Sequence, residues 1–360
     1  MNTMSIPAVL TLAMLLFGAP SALASGSTQR VPTKPQAPAP VPVSPCGPVG
    51  TSHPVGFTPG VATTNTFITA ADPDARQYLI RVPSTYSTAH APYPVVFMLH
   101  GTGQTAQIAL TNTTWNQASE VLDFIVVYPQ ALPYLLLDGT TRTKWHTDEV
   151  AANVVDPSEL PLADDVVFIR ELYNSLATYL NIDCTRVYAS GFSNGGAFVK
   201  TKLHVDLGDV FAATTSAGGI GVGGGTPAQY YPTNGFDFRP HFEVVGTLDD
   251  NKRANCVALG DLNPGDLLPR RVVDVLATPS VWDPLVLYTD ALGFNSATYT
   301  TVENPSYTQF LWNTIALPSP GPREYRFRIL PGMTHEYPSG TNYVVDYVPI
   351  FYAWMMQYTR

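Results

Sequence analysis

Residues 191–195 read Gly191-Phe192-Ser193-Asn194-Gly195, a G-x-S-x-G pentapeptide set between two contrasting runs. Before it, Arg186-Val187-Tyr188-Ala189 is short, β-branched and apolar, as a strand is. After it, Ala197-Phe198-Val199-Lys200-Thr201-Lys202-Leu203 continues as a helix. A strand that turns sharply into a helix through this pattern is a nucleophile elbow. It holds a serine on a strained turn, with Oγ exposed and the positive end of the helix beneath it. The flanking glycines are needed because neighbouring chain crowds the turn and a Cβ would clash there. This turn therefore predicts an α/β fold carrying a serine nucleophile.

The rest of the chain agrees with that class. Tyr78–Val82, Pro94–Leu99, Phe124–Tyr128, Val210–Thr214, Phe242–Val245 and Tyr325–Leu330 are strand-like. Pro94–Leu99 is continuously apolar, as a strand buried on both faces requires. In Asp165–Leu180 the apolar residues Val167, Ile169, Leu172, Leu176 and Leu180 recur at helical spacing. Strand and helix in alternation predict a mostly parallel central sheet with helices on both faces. At 360 residues and 45% hydrophobic, the chain is long enough for one large core.

The net charge of −9 argues against nucleic acid or an anionic membrane as partner. Residues 1–24 have the plan of a signal peptide: Val9–Phe17 is an apolar run too short to span a bilayer, and Ala22-Leu23-Ala24 fits the cleavage site. Met1–Phe17 contains no Lys or Arg, a departure from that plan. Seven prolines between residues 31 and 48 mark 25–60 as a linker, which leaves 61–360 as the catalytic domain. The expectation is a secreted or periplasmic monomer without a membrane anchor. Three cysteines in an exported chain imply one disulfide and one leftover thiol. Cys184 precedes the elbow strand at one end of the sheet and Cys256 follows a strand at the other, too far to bridge. Cys46, in the linker, reaches Cys256 more readily, and Cys46–Cys256 is the preferred pair. Asn112-Thr113-Thr114 is a glycosylation sequon, informative only for a eukaryotic source.

A serine hydroxyl needs a base within hydrogen-bond reach, an acid orienting that base, and donors for an oxyanion. In the elbow architecture the chain order is serine, acid, histidine. Of the two histidines well downstream of Ser193, His241 precedes a strand and sits at the wrong end of the sheet. His335 follows the last strand, where the base belongs. The acid leaves the strand between, at Asp249, with Asp250 as the alternative. The oxyanion donors are the backbone N–H groups of Asn194 and, in Leu99-His100-Gly101-Thr102-Gly103-Gln104, of Thr102; His100 braces that loop. Gly219–Gly224 matches G-x-G-x-x-G, but no helix follows it to hold a pyrophosphate, so no cofactor is expected. The seven histidines are scattered without metal-ligand spacing.

Gln77–Pro83, Leu99–Ala106, Val126–Gln130, Asp164–Val166, Asn181–Asp183, Arg186–Gly196 and Gly246–Asp249 occur in an order that resembles a known group. The chain is similar, over residues 61–360, to the extracellular esterases that include feruloyl esterases of carbohydrate esterase family 1 and polyhydroxybutyrate depolymerases. The resemblance implies an α/β-hydrolase fold and Ser193, Asp249 and His335 as the catalytic triad. It implies feruloyl or acetyl esters of polysaccharide, or polyesters, as substrates. It also supports the Cys46–Cys256 pair, since Cys46-Gly47 and Cys256 stand where the group often carries a bridge. Three stretches depart from the pattern: Asp250–Arg253, Met333–Pro338, and the long aromatic run 254–320. In the last, Trp282 and Trp312 are candidates for a cleft wall, as is Trp145 elsewhere; filling the core under a long insertion is the other reading. A serine peptidase on the same fold, and a non-catalytic carbohydrate-binding module on a hydrolase scaffold, are the alternatives in function.

Overall fold

In the computed structural model of the chain, residues 56–69, 75–156, 164–219, 239–313 and 323–360 are described, all within one compact unit, Val43–Arg360. The signal peptide expected at 1–24, most of the linker expected at 25–60, and Cys46 lie outside the described residues, as does most of the G-x-G-x-x-G stretch. Among the described residues no helix is long and apolar enough to cross a membrane.

The parallel block is built from β3 (Tyr93–Leu99), β4 (Ile125–Pro129), β7 (Ile182–Phe192), β8 (Ala213–Ala217), β9 (His241–Gly246) and β12 (Tyr325–Leu330). Antiparallel strands extend it on both sides: β1 (Ala62–Phe67) and β2 (Arg76–Arg81) beyond β4, β10 (Thr300–Glu303) and β11 (Thr308–Trp312) beyond β12. The sheet order is β1-β2-β4-β3-β7-β8-β9-β12-β11-β10. A separate hairpin, β5 (Leu132–Leu135) with β6 (Thr141–Lys144), lies outside it and is followed by the short helix α3 (Asp148–Asn153). In an open parallel sheet, ligands meet the carboxyl ends of the strands. Here the ends of β3, β7, β9 and β12 lead into the segments that contain Thr102, Ser193, Asp249 and His335.

All seven residues of β3 are buried. Val95, Phe97 and Leu99 pack with Phe168, Ile169, Leu172 and Leu176 of α4 (Asp165–Tyr179) on one face of the sheet. Val96 and Met98 pack on the other face with residues of α1 (Ala106–Asn112), α2 (Trp115–Leu122) and α10 (Val348–Met355). Asp164 starts α4 by accepting the N–H groups of Val166 and Val167, as an N-cap aspartate does. A third cluster lies where β9, β11 and β12 meet α7 (Asp250–Ala258), α8 (Val272–Leu276) and α9 (Pro279–Ala291).

Three expectations need correction. The strand expected at Val210–Thr214 runs instead over Ala213–Ala217, so the apolar Val210 and Phe211 form its approach. Its buried hydroxyls are all satisfied: Thr214 and Ser216 bond His241, at 2.8 and 3.0 Å, and Thr215 donates to Ser190 at 2.8 Å. The plain helix expected after the elbow contains a widened turn. α5 (Asn194–Phe198) passes into a π-helical turn, Val199–Leu203, before α6 (His204–Asp206). That turn carries Lys200 inward, where Nζ donates to Glu243 of β9 at 2.7 Å; both side chains are almost fully buried. Third, Cys256 is a free thiol, packed inside the third cluster with Val245, Leu285 and Phe327, while Cys184 is disulfide-bonded. The expected Cys46–Cys256 pairing is therefore not formed, because α7 turns Cys256 into the core.

Burial holds three histidines in the neutral form. His100, at the end of β3, and His204 are pushed down to about 4, and His241 well below the usual histidine range. The unfolded chain binds protons at these sites below its ordinary pKa of about 6.5 while the folded chain does not. Stability is therefore complete above pH 6.5 and declines as pH falls toward 4. The urea midpoint is expected to drop steadily between pH 7 and pH 4.5; a midpoint flat across that range contradicts the neutral, buried state of these groups.

Candidate active site

Ser193 occupies a conformation few side chains adopt, with φ 51° and ψ −120°. Outside glycine, positive φ costs on the order of 1–2 kcal/mol, so surrounding contacts must impose it. Those contacts are backbone on backbone. A Cβ on Gly191 would stand 2.4 Å from the Gly195 oxygen, and one on Gly195 would stand 2.4 Å from the His100 oxygen. Only hydrogen at both positions lets β7, α5 and the end of β3 converge. The serine N–H donates to Ala217 O at 2.9 Å, and its carbonyl accepts from Ala197 N at 2.8 Å to start the helix.

The other expected residues meet at this turn. His335 Nε2 lies 2.8 Å from Ser193 Oγ, and its Nδ1 lies 2.9 Å from Asp249 Oδ2. The carboxylate is 1% exposed, and its second oxygen accepts the Lys252 N–H at 3.0 Å, capping α7. Asp250 does not approach the histidine: it is the exposed first residue of α7 and accepts the neighbouring Asn251 N–H. With Asp249 ionised, Nδ1 of His335 donates to it and Nε2 is left as acceptor for the serine proton. The Phe192 ring leans on His335 at 5.1 Å between centroids.

The loop after β3 stands beside the serine, since a Cβ on Gly101 would come within 3.2 Å of Ser193 Cβ. Its geometry is fixed from within. His100 Nε2 accepts the Ala131 N–H at 3.1 Å, so Nδ1 carries the proton and donates to Gly101 O at 2.8 Å. The Gly101 N–H donates to Gln104 Oε1, and the Gly103 N–H to Thr143 O. Among the described residues no acceptor takes the Thr102 N–H. Asn194 opens α5, so its N–H has no intrahelical acceptor either. Among the described residues, two donors without an acceptor thus lie in the segments next to Ser193.

Trp145 and Trp312 are both fully buried, so neither forms a cleft wall. Trp312 packs with Phe310 and Tyr325 in the third cluster, and Trp282 is partly buried against the same group. Trp145 instead supports the elbow from behind. Its ring stacks on Phe198, its Nε1 donates to His100 O at 2.9 Å, and its N–H donates to the Asn194 side chain at 2.7 Å. These bonds join the two segments that carry the free N–H donors.

Gly218, just after β8, belongs to no sequence motif. Its φ is 62°, and a Cβ there would lie 3.1 Å from His335 Cε1 and 3.5 Å from Asp249 Oδ2. A glycine after a short polar strand gives no sequence signal for that role. Among the described residues no cluster of three or more His, Cys, Asp or Glu side chains is placed to hold a metal ion.

No protein-family model matches the chain. Over 157 residues, 44% of its length, it is 29% identical to the bifunctional acetylxylan esterase/xylanase XynS20E of Neocallimastix patriciarum; the match spans 19% of that enzyme. An acetyl xylan esterase from Aspergillus awamori superposes with a TM-score of 0.51 at 14% identity, covering 82% of this chain and 99% of that one. The feruloyl esterase module from Clostridium thermocellum superposes more loosely, with a TM-score of 0.42 at 15% identity over 87% of this chain and 96% of the module. The fold is thus the α/β-hydrolase fold, and the likeness to carbohydrate esterases read from the motifs is met in sequence by the first of these.

Gly218 and Gly260 both have positive φ, but a Cβ on Gly260 would meet nothing within 4 Å. Gly218→Ala and Gly260→Ala are each expected to lose about 1 kcal/mol of stability. Only Gly218→Ala is expected to slow turnover of a test ester such as p-nitrophenyl acetate, by about ten- to a hundredfold, because its methyl displaces the His335 ring. Equal kcat values in the two variants would show that the space over His335 is not needed.

Proposed function

We propose that the chain is an exported serine carboxylic ester hydrolase acting on acetyl esters of plant polysaccharide through an acyl-enzyme. The observation that carries this reading is the unbroken relay Asp249–His335–Ser193, at 2.9 and 2.8 Å, beside two unused backbone donors. Ser193 Oγ attacks the ester carbonyl as His335 Nε2 takes its proton. The carbonyl oxygen gains charge and is met by the N–H groups of Thr102 and Asn194. Asp249 accepts from Nδ1 and stabilises the imidazolium. His335 then protonates the departing alcohol, which leaves the acyl group on Ser193. Water, deprotonated by His335, attacks that acyl-enzyme, and the serine departs with the proton back in place. Each oxyanion donor of this kind contributes about 2.7–4 kcal/mol to the barrier difference in other serine hydrolases.

The choice of acetyl over feruloyl or polyester substrates rests on two supports. The sequence relative is named an acetylxylan esterase. The tryptophans that were candidates for a cleft wall lie in or against the core, so none of them supplies a stacking surface for an aromatic acyl group. Export is proposed on the apolar run Val9–Phe17 followed by Ala22-Leu23-Ala24, and it suits a polymeric substrate that cannot enter a cell.

Ser193→Ala and Asp249→Ala are expected to slow hydrolysis of p-nitrophenyl acetate by about 10⁴-fold or more, and Asp250→Ala by less than about twofold. Steady-state kinetics on the purified variants measure this, and a Ser193→Ala enzyme of undiminished rate rules the mechanism out. On natural esters, acetate release from acetylated xylan is expected to exceed ferulate release from methyl ferulate; the opposite order would return the substrate to the feruloyl class.

A further inference from the structure

The segment carrying His335 is held at both ends, by different parts of the sheet. Upstream, the Gly332 N–H donates to Thr247 Oγ1 at 2.9 Å, and Met333 O accepts the Leu248 N–H at 2.9 Å. These bonds tie the base segment to the turn that carries Asp249. Downstream, Tyr337 turns inward and is 3% exposed. Its Oη lies 2.8 Å from Ser190 Oγ and accepts Trp115 Nε1–H at 2.9 Å. Ser190 in turn accepts Thr215 Oγ1–H at 2.8 Å. Ser190, Thr215 and Trp115 are all fully buried.

Ser190 sits on β7 three residues before Ser193, and Tyr337 stands two residues after His335. The Ser190–Tyr337 bond is therefore a short tie between the nucleophile strand and the base segment. The other bonds that leave the segment downstream, Tyr347 N–H to Pro338 O at 2.9 Å and Ser339 Oγ–H to Asn112 O at 3.1 Å, lead toward α10 and α1, and neither touches β7. We infer that Tyr337 is a positioning residue: through Ser190 it fixes His335 against Ser193, as Thr247 and Leu248 fix it against Asp249. This rests on the proposed serine-esterase mechanism. Burial raises the Tyr337 phenol well above the usual tyrosine range, so the tie keeps its proton at every pH at which the enzyme would work.

Tyr337→Phe removes only Oη, and Ser190→Ala removes the other half of the tie. Both leave buried groups short of a partner, so a fall in stability alone decides nothing. The decisive readout is kcat per active site, with sites counted by titration of Ser193 with a phosphonate. Each single variant is expected to lose about tenfold in kcat, with KM within about twofold. The double variant is expected to be no slower than the singles, because both act through one bond. An unchanged kcat per titrated site in Tyr337→Phe, or losses that add in the double variant, overturns the inference. Should Tyr337→Phe fail to fold, Ser190→Ala decides alone: a slowed kcat supports the tie and an unchanged one removes it. A wild-type enzyme whose Ser193 is not titrated overturns the esterase mechanism and this inference together, a result that no change confined to the variants imitates.

Discussion

The close approach of three backbone segments at Ser193 is the constraint on which the site depends. β7 ends, α5 begins and the loop after β3 passes in front, all within contact of two glycines that have no room for a Cβ. This crowding holds Ser193 at positive φ and aims its hydroxyl outward. It also sets the Asn194 N–H beside the loop that carries the Thr102 N–H. The proposed nucleophile and the N–H groups proposed as its oxyanion donors are thus products of one packing event. The cost of strain at the serine is met by the buried sheet around it, where β3, β7 and β8 are buried over nearly their whole length.

Beneath that turn lies a polar layer with little access to water. Lys200 pairs with Glu243 at 2.7 Å, Tyr325 donates to the same carboxylate oxygen at 2.7 Å, and the Lys200 ammonium lies 4.1 Å from the Tyr288 ring centroid. A buried ion pair adds little net stability compared with an apolar pair, yet loss of one partner alone costs roughly 3–5 kcal/mol. Its value here is geometric. Lys200 belongs to the helix that starts at the serine, and Glu243 to the strand that ends at the acid. The widened π-helical turn is what brings the amine inward; such turns recur at functional sites. The Arg76–Asp165 pair, 2.6 Å apart and buried, likewise joins β2 to α4, and Asp165 also accepts the His146 N–H next to Trp145.

What the sequence made legible follows from how local each signal is. The elbow, β3 and α4 are encoded by adjacent residues with strong periodicity, and Tyr325–Leu330 forms a strand over those same bounds. That Ser193, His335 and Asp249 meet is legible from chain order, because parallel strands return each loop to the same sheet edge. Asp249 and Asp250 were separable only in three dimensions, where one caps α7 toward the histidine and the other faces solvent. β8 lies further along than its apolar residues suggest because Thr215 and Ser216 resemble loop residues; their hydroxyls are satisfied by Ser190 and His241, which are distant in sequence. Trp145 and Trp312 read equally well as cleft or core, since burial depends on the insertion around them. The free thiol of Cys256 is not legible in the sequence, because the helical phase after Asp249 that points it inward depends on the packing of α7.

In the proposed mechanism Ser193 is a nucleophile made reactive by His335, which Asp249 orients. The most direct measurement is the rate and site of covalent modification by a fluorophosphonate, followed by mass spectrometry of the peptides. One adduct per chain is expected, located on Ser193, formed together with complete loss of ester hydrolysis, and slowed strongly when His335 is replaced by alanine. An adduct on another residue, or full hydrolysis by a chain already modified at Ser193, would contradict it.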